Sequence, residues 1–309
     1  MTLQELSQLA CSLSAESAPD WLLGCFQRRS ITFYTGACDT TTRVYWLQAR
    51  GLSADFRVQP SESHSDFAWS QKDQIGNFEG GIGRTAWSGH TMKWFGWTSF
   101  QLHDKWCEPG VLKRVGDCVI EFAPSGAYVE DWRLQPSRPG PVVALRMVRE
   151  WDVKVGAATH SGGGLIVCGD HAALVRGRTR NLHGLGRLSD VARDAPHDSE
   201  LRRDLFAFEA SYAIREGSSD YKILLSTNPS LIGKTLPVLD GFSYDVKTQL
   251  VTQRVRQGGT TLERLFSIDT LEPEVSFSSA TSVNAEAEEW LHRESDTLLA
   301  FASTPSDSR

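Results

Sequence analysis

The chain has 309 residues, 40% of them hydrophobic and 23% charged, with a formal net charge of -6 at pH 7. That composition is ordinary for a globular protein and excludes collagen, a coiled coil or disorder of the whole chain. No Lys/Arg cluster offers a basic face, so no nucleic-acid partner is expected. The length predicts two domains or, as the second choice, one large one. No apolar run approaches the roughly 20 residues of a bilayer crossing, so no membrane partner is expected either. The opening MTLQELSQLACSLSAESAPDW has no basic region followed by an apolar core, and a cytoplasmic location is expected. Cys11, Cys25, Cys38, Cys107, Cys118 and Cys168 form no C-x-x-C and no zinc-finger spacing, and are expected as reduced thiols.

In chain order, Leu3, Leu6, Leu9 and Ala10 recur at helical spacing, and Asp20 is placed to cap a short helix over Trp21–Phe26. From Arg29 the texture changes to short β-branched and aromatic segments punctuated by turns. These predict strands at Arg43–Ala49, Ala54–Val58, Arg84–His90, Met92–Phe100, Asp117–Ala123 and Ala127–Leu134, the last two joined by a hairpin at Pro124-Ser125-Gly126. Gln135–Pro141 (QPSRPGP) reads as a linker. Beyond it, strands are predicted at Val142–Val148, Gly164–Cys168, His171–Arg178, Phe208–Arg215, Tyr221–Ser226, Thr248–Arg254 and Thr261–Ser267. Leu185–Asp204 reads as a long loop with a short helix, and Asn284–Ala302 as a helix whose Trp290 and Leu291 seal a seam or cap a barrel mouth. The expected divisions are a helical segment 1–24, β-units 25–137 and 138–280, and a helical tail 281–309.

Eight of the ten tryptophans (Trp21, Trp46, Trp69, Trp87, Trp94, Trp97, Trp106 and Trp132) precede the linker, more than a small barrel core requires. Large apolar rings with a polar handle suit a pocket for a flat organic ligand. Strand alternation sorts the faces. Tyr128, Glu130 and Trp132 share one face, Asp55 and Arg57 another opposite Ala54, Phe56 and Val58, and Val119 and Glu121 a third. On Ser88–Gly96, His90, Met92 and Trp94 lie opposite Lys93, Phe95 and, by strict alternation, Trp97. A face mixing Glu130 with Tyr128 and Trp132 either meets solvent or lines a polar-tipped cavity; in the second case Glu130 is the leading acid or base, because a carboxylate among rings has its pKa raised by desolvation.

No phosphate loop, dinucleotide fingerprint, G-x-S-x-G elbow or H-E-x-x-H is present, and the His residues (His64, His90 and His103, then His160 and His171) form no dense metal cluster, so neither cofactor nor metal is expected. Ser161-Gly162-Gly163-Gly164 reads as a turn. Arg176, Arg178 and Arg180 share a strand face that either clamps an anion or is a solvated edge.

RVYWLQARGLSADFRV, DCVIEF…SGAYVEDWR and YKILLSTNPSLIGKTL together resemble segments of a bacterial family of lipocalin-like tandem-barrel proteins, with the fungal lipocalin-like double-barrel proteins as distant relatives. The resemblance covers roughly residues 25–270, and it departs from the family pattern at Tyr221, Asn228 and the insertion around Leu185–Asp204. It implies an all-β fold of two tandem lipocalin-like (calycin-like) antiparallel barrels with N- and C-terminal helices. By position it places Trp46, Asp55, Arg57, Trp94, Glu121, Glu130 and Trp132 in the first barrel. The resulting expectation is a cofactor-free lyase or isomerase acting on an aromatic or polycyclic small molecule. Glu130, Glu121, Asp55 and Arg57 would be its catalytic groups, and Trp46, His90, Lys93, Trp94, Trp97, Tyr128 and Trp132 its ligand-binding set. A non-catalytic carrier of hydrophobic ligands and a structural or interaction protein are the alternatives, and the second unit offers a surface for a homodimer.

Overall fold

The computed structural model describes residues 1–58, 78–103, 108–217, 219–277, 284–298 and 300. His64, Trp69, Trp106 and Cys107, singled out above, lie outside these residues, as does the end of the chain beyond residue 300. Nine strands form the first sheet: β1 (Gly24–Phe33), β2 (Cys38–Asp39), β3 (Arg43–Gln48), β4 (Leu52–Val58), β5 (Glu79–Ser88), β6 (Thr91–Ser99), β7 (Gly110–Val115), β8 (Cys118–Phe122) and β9 (Tyr128–Leu134). Apart from the short β2 beside β1, each strand pairs antiparallel with the next, and β9 pairs back with β1. The result is a closed eight-stranded antiparallel barrel, which leaves none of those eight strands as an open edge.

One outer face of the barrel is apolar. Along β4, Ala54, Phe56 and Val58 join a core that includes Leu47, Ile82, Ala144, Ile166, Ala173 and Tyr212, so one outer face of the barrel packs on the second half of the chain. The Tyr212 ring stacks on Tyr45 at 4.7 Å and meets Phe56 at 5.9 Å. With the outward positions of β4 given to packing, its inward positions are free to be polar, the reverse of the usual small-barrel pattern. At one end the lumen is filled by Phe26, Val44, Met92, Leu112 and Val119 together with Leu22 and Leu23. Those two leucines come from a segment expected to be helical. Instead Asp20–Leu22 makes a single 3-10 turn, the Asp20 carboxylate pairs with Arg50 at 2.7 Å, and β1 begins at Gly24. The ladder of Cys25 and Phe26 with Leu47 and Trp46 overrides the local helical spacing.

The second sheet contains β10 (Gly140–Asp152), β11 (Ala158–Ser161), β12 (Gly163–Cys168), β13 (His171–Arg176), β14 (Glu209–Ile214), β15 (Lys222–Ser226), β16 (Phe242–Asp245), β17 (Leu250–Gln257) and β18 (Thr260–Val275). Its order, β15-β14-β13-β12-β10-β18-β17-β16, is that of a meander left open between β15 and β16, so it is not the closed second barrel that was expected. Local pairing explains the opening. Ile223 N–H donates to Lys234 O and Leu236 N–H to Tyr221 O, so residues 234–236 occupy the free side of β15. On β16, Phe242 exchanges backbone hydrogen bonds with Met1. The adjoining helix α1 (Leu3–Ser7) carries Leu3 and Leu6 into a core on this sheet's other face with Val143, Leu165, Tyr221 and Phe266. The centre of the sheet is therefore covered on both sides, and β12 and β13 are buried along their whole length. Leu188–Asp194 (α2) and Glu200–Phe206 (α3) fall in the stretch read as a long loop. The final helix, α4 (Ala285–Leu298), seals nothing: it has no buried residue, and Trp290 and Leu291 are each 47% exposed. No described helix is long and apolar enough to cross a membrane.

One local irregularity sets the barrel's contents. Arg84 pairs with Phe95 but Ile82 pairs with Thr98, so β6 carries one extra residue there. Gly96 supplies the left-handed backbone of this bulge, with φ 62°. The bulge reverses the parity of the residues after it, and Trp97 joins Trp94 on the inner side instead of facing outward with Lys93. A Cβ on Gly96 would meet nothing within 4 Å, so Gly96→Ala carries only the conformational cost of a left-handed residue. We expect a loss of about 1–2 kcal/mol in urea-unfolding free energy. An unchanged midpoint would mean that the bulge is not held in solution.

Candidate functional site

The filled end of the barrel leaves a cavity above Trp46, Trp94 and Trp132, walled further by Ser53, Asp55, Arg57, Trp97, Glu121 and Tyr128. Its rim includes Glu79, Gln101, His103 and Glu108. The cavity volume is ≈ 90 Å³, below the roughly 300–1,000 Å³ usual for small-molecule sites. The site is a narrow slot between aromatic rings. Trp46 meets Trp132 at 5.4 Å and Trp94 at 6.1 Å, both edge to face. Trp46 is fixed from below by its Nε1–H bond to Gln48 Oε1 at 3.0 Å, and Gln48 in turn donates to Thr85 Oγ1 at 2.9 Å.

Two glycines give the rings room. A Cβ at Gly83 would lie 2.7 Å from the Trp97 ring, and one at Gly110 would lie 2.8 Å from Trp94 and 3.0 Å from the Glu121 side chain. Both strands can bear these rings and the acid only with a bare backbone at those positions.

Glu121 on β8 and Glu130 on β9 are directly paired across the ladder. Both are buried, 5% and 2% exposed. Two carboxylates facing one another in a dry lumen cannot both keep a charge without help. Glu130 receives that help. Arg28 Nη1 donates to its Oε1 at 2.6 Å, while Arg28 Nη2 holds Asp39 at 3.1 Å. A one-residue irregularity of β1 between Arg28 and Ser30 accompanies this placement.

Glu121 has no cation bonded to it among the described residues. It accepts from the Trp132 indole at 3.1 Å and from the Tyr128 hydroxyl at 3.2 Å. Burial, followed by the Glu130 charge, pushes its pKa up to about 8, against the smaller lowering effects of Arg57 and of the two donors. Burial and the same two carboxylates raise the Tyr128 pKa, which keeps that hydroxyl a donor.

Asp55 and Arg57 form a two-point ion pair within one strand, Nε to Oδ1 at 2.8 Å and Nη2 to Oδ2 at 3.2 Å. Burial works against the Arg57 charge, but Asp55 and Glu130 more than offset it and hold the guanidinium charged. Ser53, on the same strand face as this pair, has a buried Oγ with no hydrogen-bond partner among the described residues.

Of the residues named from sequence, Trp46, Asp55, Arg57, Trp94, Trp97, Glu121, Tyr128 and Trp132 thus come together around one slot. Three do not line it. Glu130 shares the inner face with Glu121 but does not line the slot, because its carboxylate is engaged in an ion pair with Arg28. His90 is exposed at the β5–β6 turn, and Lys93 points outward on β6, where its neighbours Met92 and Trp94 take the inner positions. Residues not foreseen are Ser53, Arg28 and the rim residues. The period of two through Asp55 and Arg57 already pointed to Ser53, whereas Arg28 lies beside a bulge that its own sequence does not announce. Among the described residues no group of three or more His, Cys, Asp or Glu is arranged to hold a metal.

Comparison of the chain with protein-family models, with curated proteins and with solved structures finds no match. The Arg28 pair can be tested by stability alone. Arg28→Met leaves Glu130 buried without its cation and is expected to cost about 3–5 kcal/mol in urea unfolding, whereas Arg28→Met combined with Glu130→Leu should recover most of it. Equal losses in the single and double variants would show that the two side chains are not coupled.

Proposed function

We propose that the barrel slot binds a small, flat, neutral molecule and that Glu121 acts on it as a general acid, in a lyase or isomerase reaction requiring no group beyond the protein's own side chains. The observation that supports this most is the state of Glu121: a carboxyl on the cavity wall, buried among indoles and beside an anion fixed by its own arginine. Such an acid keeps its proton near neutral pH and can deliver it to a carbonyl oxygen or a polarised double bond held between the rings. The released carboxylate then sits close enough to Arg57 for the guanidinium to lower its pKa, so the charge formed in the step is partly compensated.

The slot's size narrows the substrate class to one or two rings, in place of the polycyclic ligands allowed by sequence. Asp55, Glu79 and Glu108 against a single arginine among the described lining residues make an anionic substrate unfavourable. In this reading the two halves descend from tandem lipocalin-like barrels, with the second opened between β15 and β16. A carrier without chemistry is the second reading, favoured by the mutual neutralisation of Asp55 and Arg57.

Quenching of tryptophan emission by neutral one- and two-ring compounds identifies ligands, and NMR of the incubated ligand reports conversion. Glu121→Gln should bind such a ligand within about threefold of the parent protein and lose roughly 100- to 10,000-fold in turnover. Parent turnover should be level below pH 8 and fall tenfold per unit above it, as the acid loses its proton. Equal turnover by Glu121→Gln removes Glu121 from the mechanism, and binding with no conversion by either protein leaves the carrier.

The same carboxyl makes a separate prediction for stability. Its folded-state pKa is raised, so its contribution is intact below about pH 4.5 and is lost as pH climbs through about 8. Glu121→Gln should therefore gain in melting temperature over the parent protein as pH rises from 5 to 9. A pH-independent difference would place the Glu121 pKa in the ordinary range.

A further inference from the structure

A second cavity, of ≈ 480 Å³, is formed mostly by the second half of the chain. Its volume is within the roughly 300–1,000 Å³ usual for small-molecule sites. His160 on β11 is part of its wall, with a side chain that is 16% exposed. Across the ladder His160 is the direct partner of Glu150 on β10, whose side chain is fully buried.

Glu150 fixes the imidazole. It accepts from His160 Nδ1 at 2.9 Å, and its own position is set by bonds from Thr159 Oγ1 at 2.8 Å, Arg176 Nη1 at 3.0 Å and Arg264 Nε at 2.8 Å. Burial works against the Glu150 charge, but the His160 bond and the two guanidiniums hold its pKa well below the usual carboxylate range. An ionised carboxylate can only accept a hydrogen bond. Nδ1 therefore carries the hydrogen, and Nε2 is the acceptor whenever the ring is uncharged. Nε2 bonds to no described residue. With Nδ1 turned to buried Glu150, the edge of the ring left to meet the cavity is the one bearing Nε2. A carboxylate-held imidazole with its other nitrogen at a cavity wall is the arrangement of a general base.

The proton such a base takes does not come from a neighbouring side chain. Among the described lining residues there is no Ser or Cys, and the Thr227 hydroxyl already donates to Phe208 O at 3.3 Å and accepts from Ala210 N at 2.9 Å. Water is the remaining source within reach of an imidazole's modest basicity. The described lining carries Arg176 and Arg202 against Glu209, an excess of positive charge. Arg176 is occupied by Glu150 and Glu209, whereas Arg202 donates from Nη1 to Ala192 O and from its other nitrogens to no described residue. That wall suits a neutral carbonyl compound whose oxygen becomes negative only during reaction. We propose that this cavity is a second catalytic site that hydrolyses a small neutral ester, with His160 as general base and Glu150 as the residue that positions it. His160 Nε2 takes a proton from water as the water oxygen bonds to the ester carbonyl carbon, and the carbonyl electron pair moves onto its oxygen. As that pair returns, the bond from carbon to the alkoxy oxygen breaks. The alcohol leaves with the proton from Nε2, which gives a carboxylic acid and an alcohol and restores the imidazole. The site is independent of the barrel slot and of Glu121.

The test uses the full chain and p-nitrophenyl acetate, with release of nitrophenolate as the readout. The parent protein should release it about tenfold or more faster than free imidazole at the same concentration. His160→Asn keeps a side-chain N–H for Glu150 but removes Nε2, and should lose about tenfold or more of that rate with the melting temperature kept. Ala207→Phe fills the cavity from its lining without altering the pair and should lose as much, which decides the matter if His160→Asn unfolds. His292→Asn, at an exposed position on α4, should leave the rate unchanged and so excludes hydrolysis by surface histidines. A parent rate no greater than that of imidazole, a parent-like rate in folded His160→Asn or in Ala207→Phe, or an equal loss in His292→Asn would each overturn the proposal. So would a stoichiometric burst of nitrophenolate, because a side chain would then attack the ester directly in place of water.

Discussion

Two carboxyl groups facing one another across a strand pair, Glu121 and Glu130, set the terms for the rest of the barrel. In a lumen closed at one end by packed side chains neither is hydrated as it would be in solution, so their repulsion has to be resolved locally. The fold resolves it asymmetrically. One acid is given Arg28, and Asp39 in turn balances the second arm of that guanidinium. The other acid is given an indole and a phenol, which donate hydrogen bonds without supplying a positive charge. The chemical difference between two identical residues thus comes from which neighbour carries a formal charge.

A lumen that holds Glu121, Asp55, Arg57 and Ser53 contributes less to hydrophobic stability than an oily one. The barrel compensates on its outside, where Leu47, Ala54, Phe56 and Ile82 pack against the second sheet. That sheet is in turn covered on its far face by α1 and by residues such as Leu236 and Val238. The order of layers is therefore barrel wall, central sheet, amino-terminal cap. The first few residues of the chain complete a core belonging to its second half. Stability of the slot and stability of the second half are linked through this shared packing, and neither half presents a finished surface at the place where they meet.

The strand pattern was largely legible because alternation and turn residues are local signals. Asp55 with Arg57, Val119 with Glu121, and Tyr128 with Trp132 fall on inner faces for no reason beyond a period of two. Reading failed where distant parts of the chain decide the outcome. Trp97 needed a count of the extra residue at Gly96, which depends on how β5 and β6 register. Trp21–Phe26 has helical spacing, yet its second part is claimed by a ladder with β3. Glu130 carried the local marks of a carboxyl without a counter-charge, and its bond to Arg28, 102 positions away in sequence, has no local signal. The missing closure of the second sheet was illegible for the same reason, since Met1 meets Phe242 across 241 positions. The run of Arg176, Arg178 and Arg180 looked like one clamp. In space its members separate: the first enters a buried network, the second binds the carbonyls of Ser99, Phe100 and Leu205, and the third pairs with Asp204 at the surface.

The segment from Trp97 to Gln101 is a party wall. Trp97, Ser99 and Gln101 line the slot, Phe100 lines a second cavity together with Phe206 and Phe208, and Thr98 packs against Gly162 and Gly177 of the neighbouring half. Arg178 bolts this stretch in place from the far side by its bonds to Ser99 O and Phe100 O. The two cavities are therefore separated here by the thickness of one chain.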